Sequence, residues 1–177
     1  MAFTPRLTSA GIQDDYKWYS RNPFYLSGWG LPNCTCYAWG RFWEIAGGSS
    51  GDLPNGPTSL CPYNAENWYN WADGFPRGQT PRLGAIACYA DGDFSGLGHV
   101  CVLEVDNGNG TWTVSESALH SYYFRASHTI QSNGDYGYGN YTFQGFIYNP
   151  YADSGGGGNF KWWMARKLIY QRKGLIV

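Results

Sequence analysis

The sequence predicts an α+β domain in which N-terminal helices pack on an antiparallel β-sheet. The clear helical spacing of apolar residues falls between Cys34 and Ala72. From Gly84 onward, short apolar runs alternate with turn formers, as in a sheet built from hairpins. Aromatic content is 19%, with 9 Trp and 15 Tyr, which suits cross-strand pairing in a β-rich core or an aromatic binding surface. A chain of 177 residues is long enough for one domain with a real core and a short appendage.

Residues 1–32 are rich in turn formers (Asn22-Pro23, Gly28, Gly30, Pro32), with only weak helical spacing around Gln13–Tyr19. They read as a lead-in that packs on the domain. Asn33 is a good N-cap, and Ala38, Phe42 and Ile45 then recur at helical spacing until Gly47-Gly48 stops the helix. Residues 49–62 form a loop. A second helix is expected from Asn64, with Ala65, Trp68, Tyr69 and Ala72 on one face and Asp73-Gly74 at its end. Strands follow over residues 84–89, 99–105 and 111–116. Asp91-Gly92-Asp93 turns the first of them, and Asp106-Asn107-Gly108-Asn109-Gly110 joins the second and third as a hairpin. Residues 122–129 and 143–148 close the sheet, with a Gly/Tyr/Asn loop between them. The domain is placed at residues 1–152. A Gly-rich linker occupies 153–160, and a basic aromatic tail of open role occupies 161–177, with Trp162-Trp163 and five basic residues.

Net charge is −1, so overall charge favours neither nucleic acid nor an anionic membrane surface. Five cysteines at scattered spacings, without a C-x-x-C pair, argue against a disulfide framework and against zinc. A reducing cytosol suits them better than classical secretion. No basic segment followed by an apolar run opens the chain, and no stretch approaches the roughly 20 apolar residues of a membrane span. The expectation is synthesis in a cytoplasm without a signal peptide, and no membrane insertion.

The candidate chemistry begins at Cys34, the first residue of the first helix. A helix N-terminus favours a thiolate and offers backbone N–H groups to an anion. Cys36 lies roughly 200° around the helix and belongs to packing. His99 opens an apolar strand after the small residue Gly98, and is favoured as the base over His120 and His128. Glu116 ends the strand that pairs with the His99 strand, and is favoured as the imidazole's acceptor. The alternative, Glu104, stands roughly 17 Å further along the His99 strand. The Cys34 backbone N–H is the natural oxyanion donor. The Asn33 side chain is either a second donor or the helix cap.

These segments, in order, resemble the CHAP family, the cysteine, histidine-dependent amidohydrolases/peptidases. Asn33-Cys34-Thr35-Cys36-Tyr37-Ala38 is similar to the family's Gln/Asn-Cys-Thr-x-Tyr/Trp motif. Asn64-Ala65-Glu66-Asn67-Trp68 resembles its Asn-Ala-x-x-Trp helix, and Pro81-Arg82-Leu83-Gly84-Ala85-Ile86-Ala87 its Pro-x-x-Gly-Ala/Asp-Ile segment. Gly98-His99-Val100 resembles its histidine motif, Val114-Ser115-Glu116 its acid strand, and Gly145-Phe146-Ile147 its closing strand. The resemblance implies a papain-like fold and a peptidoglycan hydrolase. Such an enzyme cuts the muramoyl-L-alanine amide or a stem-peptide or cross-bridge amide through a cysteine thioester, with Cys34, His99 and Glu116 as the catalytic set. It also implies bacterial peptidoglycan as partner. Many members are phage lysins, so an endolysin or a virion tail-associated protein is expected, with a further wall-binding domain or tail proteins as additional partners. The sequence departs from the family twice. Many members carry Asn two residues after the Glu, where this chain has Ala118, which leaves Ser117 as a substitute. Residues 22–33 hold no acidic residue, so no calcium and no cofactor is expected. A wall-binding module with a degenerate site, or a tail structural protein carrying this domain, are the competing readings.

Overall fold

The computed structural model describes residues 3–91 and 96–152. The Gly-rich linker, the tail and most of the Asp91-Gly92-Asp93 turn lie outside the described residues. The helices are α1 (Pro23–Leu26) and α2 (Cys34–Ile45). The strands are β1 (Arg77–Gly78), β2 (Ile86–Asp91), β3 (His99–Asp106), β4 (Thr111–Glu116), β5 (Arg125–Gln131) and β6 (Tyr141–Ile147). They form one antiparallel sheet in the order β1-β6-β2-β3-β4-β5. The predicted architecture of helix on antiparallel sheet holds. Among the described residues, no helix is long and apolar enough to cross a membrane.

α2 starts where the sequence places it because Asn33 supplies the missing acceptor. Its Oδ1 takes the N–H groups of Thr35 at 2.9 Å and Cys36 at 3.2 Å, donors that have no partner within the helix. Trp39, Phe42 and Trp43 are buried along the helix, packed with Ile86, Cys88, Val100, Val102 and Ile147 of the sheet and with Trp18 of the lead-in. Trp18 approaches so closely that a Cβ on Gly40 would lie 2.4 Å from its indole nitrogen. The lead-in is therefore core: Ile12 and Trp18 are fully buried.

β2 and β3 read as unbroken apolar runs because both faces of the sheet are covered. Even-numbered Cys88, Val100 and Val102 meet α2, whereas Ala87, Tyr89, Cys101 and Leu103 join Trp112, Val114, Ile130 and Phe146 on the far face.

The second expected helix is a correction. Only a single 3₁₀ turn forms, Ala65–Asn67, and Asn64 makes no side-chain cap bond. The competing partner is Arg77, whose guanidinium donates to the carbonyls of Trp68, Tyr69 and Trp71. A continuing helix would need those acceptors for its own N–H groups. β1, only two residues long, pairs with Ile147 and Phe146 of β6 and leaves no periodicity to read.

A buried ion pair joins the lead-in, α2 and β3. Arg41 Nε and Nη2 donate to the two oxygens of Glu104 at 2.9 and 2.8 Å. Glu104 also accepts from Ser115 Oγ at 2.6 Å and from the Arg6 backbone N–H at 2.8 Å. Arg41 Nη2 further donates to the Thr4 carbonyl at 2.7 Å. Glu104 is thus a structural anion facing α2.

Candidate active site

Cys34 is the first residue of α2 and half-buried. His99, the first residue of β3, lies beside it, and the thiol acts on the imidazole across the mouth of the helix. On the other side, His99 Nε2 lies 2.7 Å from Glu116 Oε2. A carboxylate only accepts, so Nε2 carries the proton and Nδ1 is the nitrogen that faces the thiol. Burial alone would push the imidazole down. The interactions with Cys34 and Glu116 override it and raise His99 to about 10. Burial would likewise raise Glu116, but bonds from His128, His99 and Tyr136 and the charge on His99 hold it below its usual range.

Strand geometry brings this pair together. His99 shares its face of β3 with Cys101 and Leu103, and Glu116 follows Trp112 and Val114 on β4. Those residues lie on the same side of the sheet, where Tyr136 stacks edge-on against His99 at 5.3 Å. Gly98 makes the approach possible. Its φ is +74°, and a Cβ there would lie 2.2 Å from the Tyr89 carbonyl and 2.7 Å from the Glu66 nitrogen. Gly98→Ala is expected to destabilise the domain by on the order of 2 kcal/mol or more and to displace His99. Parallel thermal melts and activity assays check this, and a variant matching wild type in both would contradict it.

The remaining sequence candidates fall as follows. Asn33 caps the helix through Oδ1, which also accepts from Thr35 Oγ1 at 2.6 Å. The amide nitrogen of the same side chain is a separate donor, so capping and oxyanion binding need not compete for one atom. Ser117 Oγ accepts from the Asn33 backbone N–H at 3.0 Å and donates to the Tyr122 carbonyl at 3.1 Å. The first bond ties the end of β4 to the start of α2, and the second ties it to the loop before β5. Cys36 is fully buried, and burial pushes its thiol up to about 12. His120 sits in a left-handed turn with φ +57°. His128 is closer to the chemistry than its sequence context suggests: Nδ1 is 3.1 Å from Glu116 Oε1 and Nε2 is 2.9 Å from the Tyr136 carbonyl. Arg125, also on β5, donates to the same Oε1 from Nε at 2.9 Å and Nη2 at 2.6 Å. Tyr136 donates to Oε2 at 2.6 Å. Sequence reasoning missed Arg125 and Tyr136 and weighed His128 only as a rival base; their contacts with the acid appear only once β5 is laid beside β4, with Arg125 opposite Glu116.

Cys34 and His99 open into a cleft of about 1180 Å³. Its aromatic walls include Trp29, Tyr63, Trp71, Tyr122 and Tyr138. Trp29, Tyr63 and Tyr138 are half or more exposed, in contrast to the fully buried Trp18, Trp43 and Trp68. The aromatic richness therefore serves both core and cleft.

A sequence model of the CHAP domain matches residues 22–118, more than half of the chain. The chain belongs to the CHAP domain family. A probable autolysin, LDP, of Staphylococcus aureus is 40% identical over 109 residues, covering 60% of this chain and 34% of that protein. A crystal structure of an N-acetylmuramoyl-L-alanine amidase from Staphylococcus aureus is 27% identical and covers 65% of this chain and 32% of that one, with a TM-score of 0.41. The chain thus spans about a third of the length of these relatives. In this CHAP domain, the position two residues after Glu116 is Ala118, which lines the cleft. The polar partners of the acid come instead from β5 and the loop after it.

Proposed function

We propose that this CHAP domain hydrolyses an amide bond of bacterial peptidoglycan, as a muramoyl-L-alanine amidase or a stem-peptide or cross-bridge endopeptidase, through a cysteine thioester. The observation that carries the reading is that Cys34 and His99 meet in an aromatic cleft, with Glu116 hydrogen-bonded to the far side of the imidazole. Family membership and the likeness to a staphylococcal autolysin supply the substrate class.

The chemistry follows from the geometry. His99 Nδ1 takes the thiol proton, and Cys34 Sγ attacks the amide carbonyl carbon. The oxyanion that forms is placed to accept from the Cys34 backbone N–H at the mouth of α2, with the Asn33 amide as a second donor. His99 returns its proton to the leaving amine as the C–N bond breaks, leaving a thioester. A water then gives its proton to His99 and attacks the thioester carbon. The carboxylic acid departs and the thiol is restored. Throughout, Glu116 holds the imidazole by Nε2 and offsets its charge when protonated.

The test is digestion of purified walls by the intact protein, followed by mass spectrometry of the released muropeptides. New amino groups and carboxylates at one amide are expected, and their identity separates amidase from endopeptidase. Walls that bind the protein yet yield no new termini would overturn the enzymatic reading in favour of a binding module.

A further inference from the structure

Glu116 carries far more than the single bond needed to orient an imidazole. Its Oε1 takes both donors of the Arg125 fork and lies beside His128 Nδ1, while Oε2 takes Tyr136 Oη together with His99 Nε2. Arg125 extends the connection outward. It packs over the Tyr122 ring at 4.3 Å, and Nη2 also donates to Tyr136 Oη at 3.1 Å and to Tyr138 Oη. Tyr122 and Tyr138 are walls of the cleft. The acid is thus clamped to the cleft wall by a guanidinium that keeps its charge at every working pH.

We propose that Arg125 is a positioning residue that fixes Glu116, and that its positive charge sets the pH range over which Cys34 and His99 exist as thiolate and imidazolium. The proposal rests on the reading of Cys34 and His99 as the reacting pair. The charged and titratable groups around that pair come from several elements. His99 and Cys101 stand on β3, Glu116 on β4, Arg125 and His128 on β5, and Tyr122 and Tyr136 in the loops flanking β5. Cys34 faces His99 from α2, and the Tyr141 ring lies 5.6 Å from the imidazole. Without Arg125, Glu116 keeps its contacts with Tyr136 and His128 but loses its permanent counter-charge, so more of its negative charge acts on the imidazole. Imidazolium becomes easier to keep and thiolate harder to form, so both limbs of the pH profile move upward.

The rate of Cys34 alkylation by iodoacetamide, followed against pH in the full chain, reads thiolate formation without any wall substrate. Cys34→Ala supplies the background from other thiols. Arg125→Gln and Arg125→Met are expected to raise the midpoint by about one pH unit, the size of one charge acting through a partly buried site. Arg125→Lys keeps the charge and loses the fork, so its midpoint is expected to stay within about 0.3 units of wild type while wall hydrolysis slows. Arg125 lies on an edge strand with its side chain 25% exposed, and both neutral replacements are therefore expected to fold. An unmoved midpoint in the neutral variants overturns the proposal, as does a shift in Arg125→Lys equal to that in Arg125→Gln. A moved midpoint in a protein that releases nothing from walls sinks the hydrolase reading instead, so the two fail separately.

Discussion

Cys34→Ala is expected to abolish clearing of purified walls, with the rate falling by about 10³-fold or more, while the domain stays folded. Under the proposed thioester mechanism the loss is large because no other group at the site can take over the acyl intermediate. His99 has one nitrogen committed to Glu116, and the only other thiol on the same turn, Cys36, is fully buried and donates to the Trp18 carbonyl at 3.5 Å. Folding should survive because Cys34 is half-buried at a helix start, and the cap that starts the helix belongs to Asn33. A melting temperature within a few degrees of wild type, together with lost turbidity clearing, is the expected pair of results. Wild-type-like lysis would remove Cys34 from the mechanism. Cys36→Ala should behave in the opposite way, losing packing while each folded molecule keeps its activity.

Arg41→Met is expected to be the most damaging single change to stability away from the cleft. It leaves Glu104, which is fully buried, as an anion without a counter-charge. Breaking one side of such a pair typically costs about 3–5 kcal/mol, or about 10 °C in melting temperature for a domain of this size. The remaining donors, Ser115 Oγ and the Arg6 backbone N–H, are neutral and cannot replace a guanidinium fork. Adding Glu104→Gln should recover part of the loss, because no charge is left unpaired: the single glutamine oxygen can accept from the Arg6 N–H while its amide group donates to Ser115 Oγ, a hydroxyl that can also accept. Thermal or urea unfolding of the two variants decides the matter: an Arg41→Met protein that melts like wild type would show that the pair contributes nothing.

The sequence was most legible where local chemistry and tertiary packing agree. Asn33, the apolar spacing of Ala38, Phe42 and Ile45, and Gly47-Gly48 specify α2 almost residue for residue, because cap, stripe and stop are all local signals. The hairpin between β3 and β4 was equally plain, and with it the pairing that brings Glu116 toward His99; the burial of Glu104 against Arg41 of α2 was not. Legibility failed where a distant side chain decides the outcome. Residues 65–72 carry a helical pattern, yet Arg77 takes their carbonyls. His128 and Arg125 look unremarkable on an alternating strand; His128 stands opposite Val114 in regular register, whereas Arg125 comes opposite Glu116 only because the β4–β5 pairing shifts register between Val114 and Glu116. No local rule places that irregularity.

The lead-in has a bearing on how such domains can be moved between proteins. The family match begins at residue 22 and ends at 118, but the folded unit does not. Ile12 and Trp18 fill the far side of α2, Arg6 and Thr4 close the shell around Arg41 and Glu104, and β5 and β6 complete the sheet and hold the acid. A chimaera cut at the motif boundaries would inherit the nucleophile and its histidine but neither Arg125 nor Tyr136, and would leave an indole-sized hole beside Gly40. Any transfer of this domain should therefore keep the lead-in, β5, β6 and the loop that carries Tyr136 together with the matched segment.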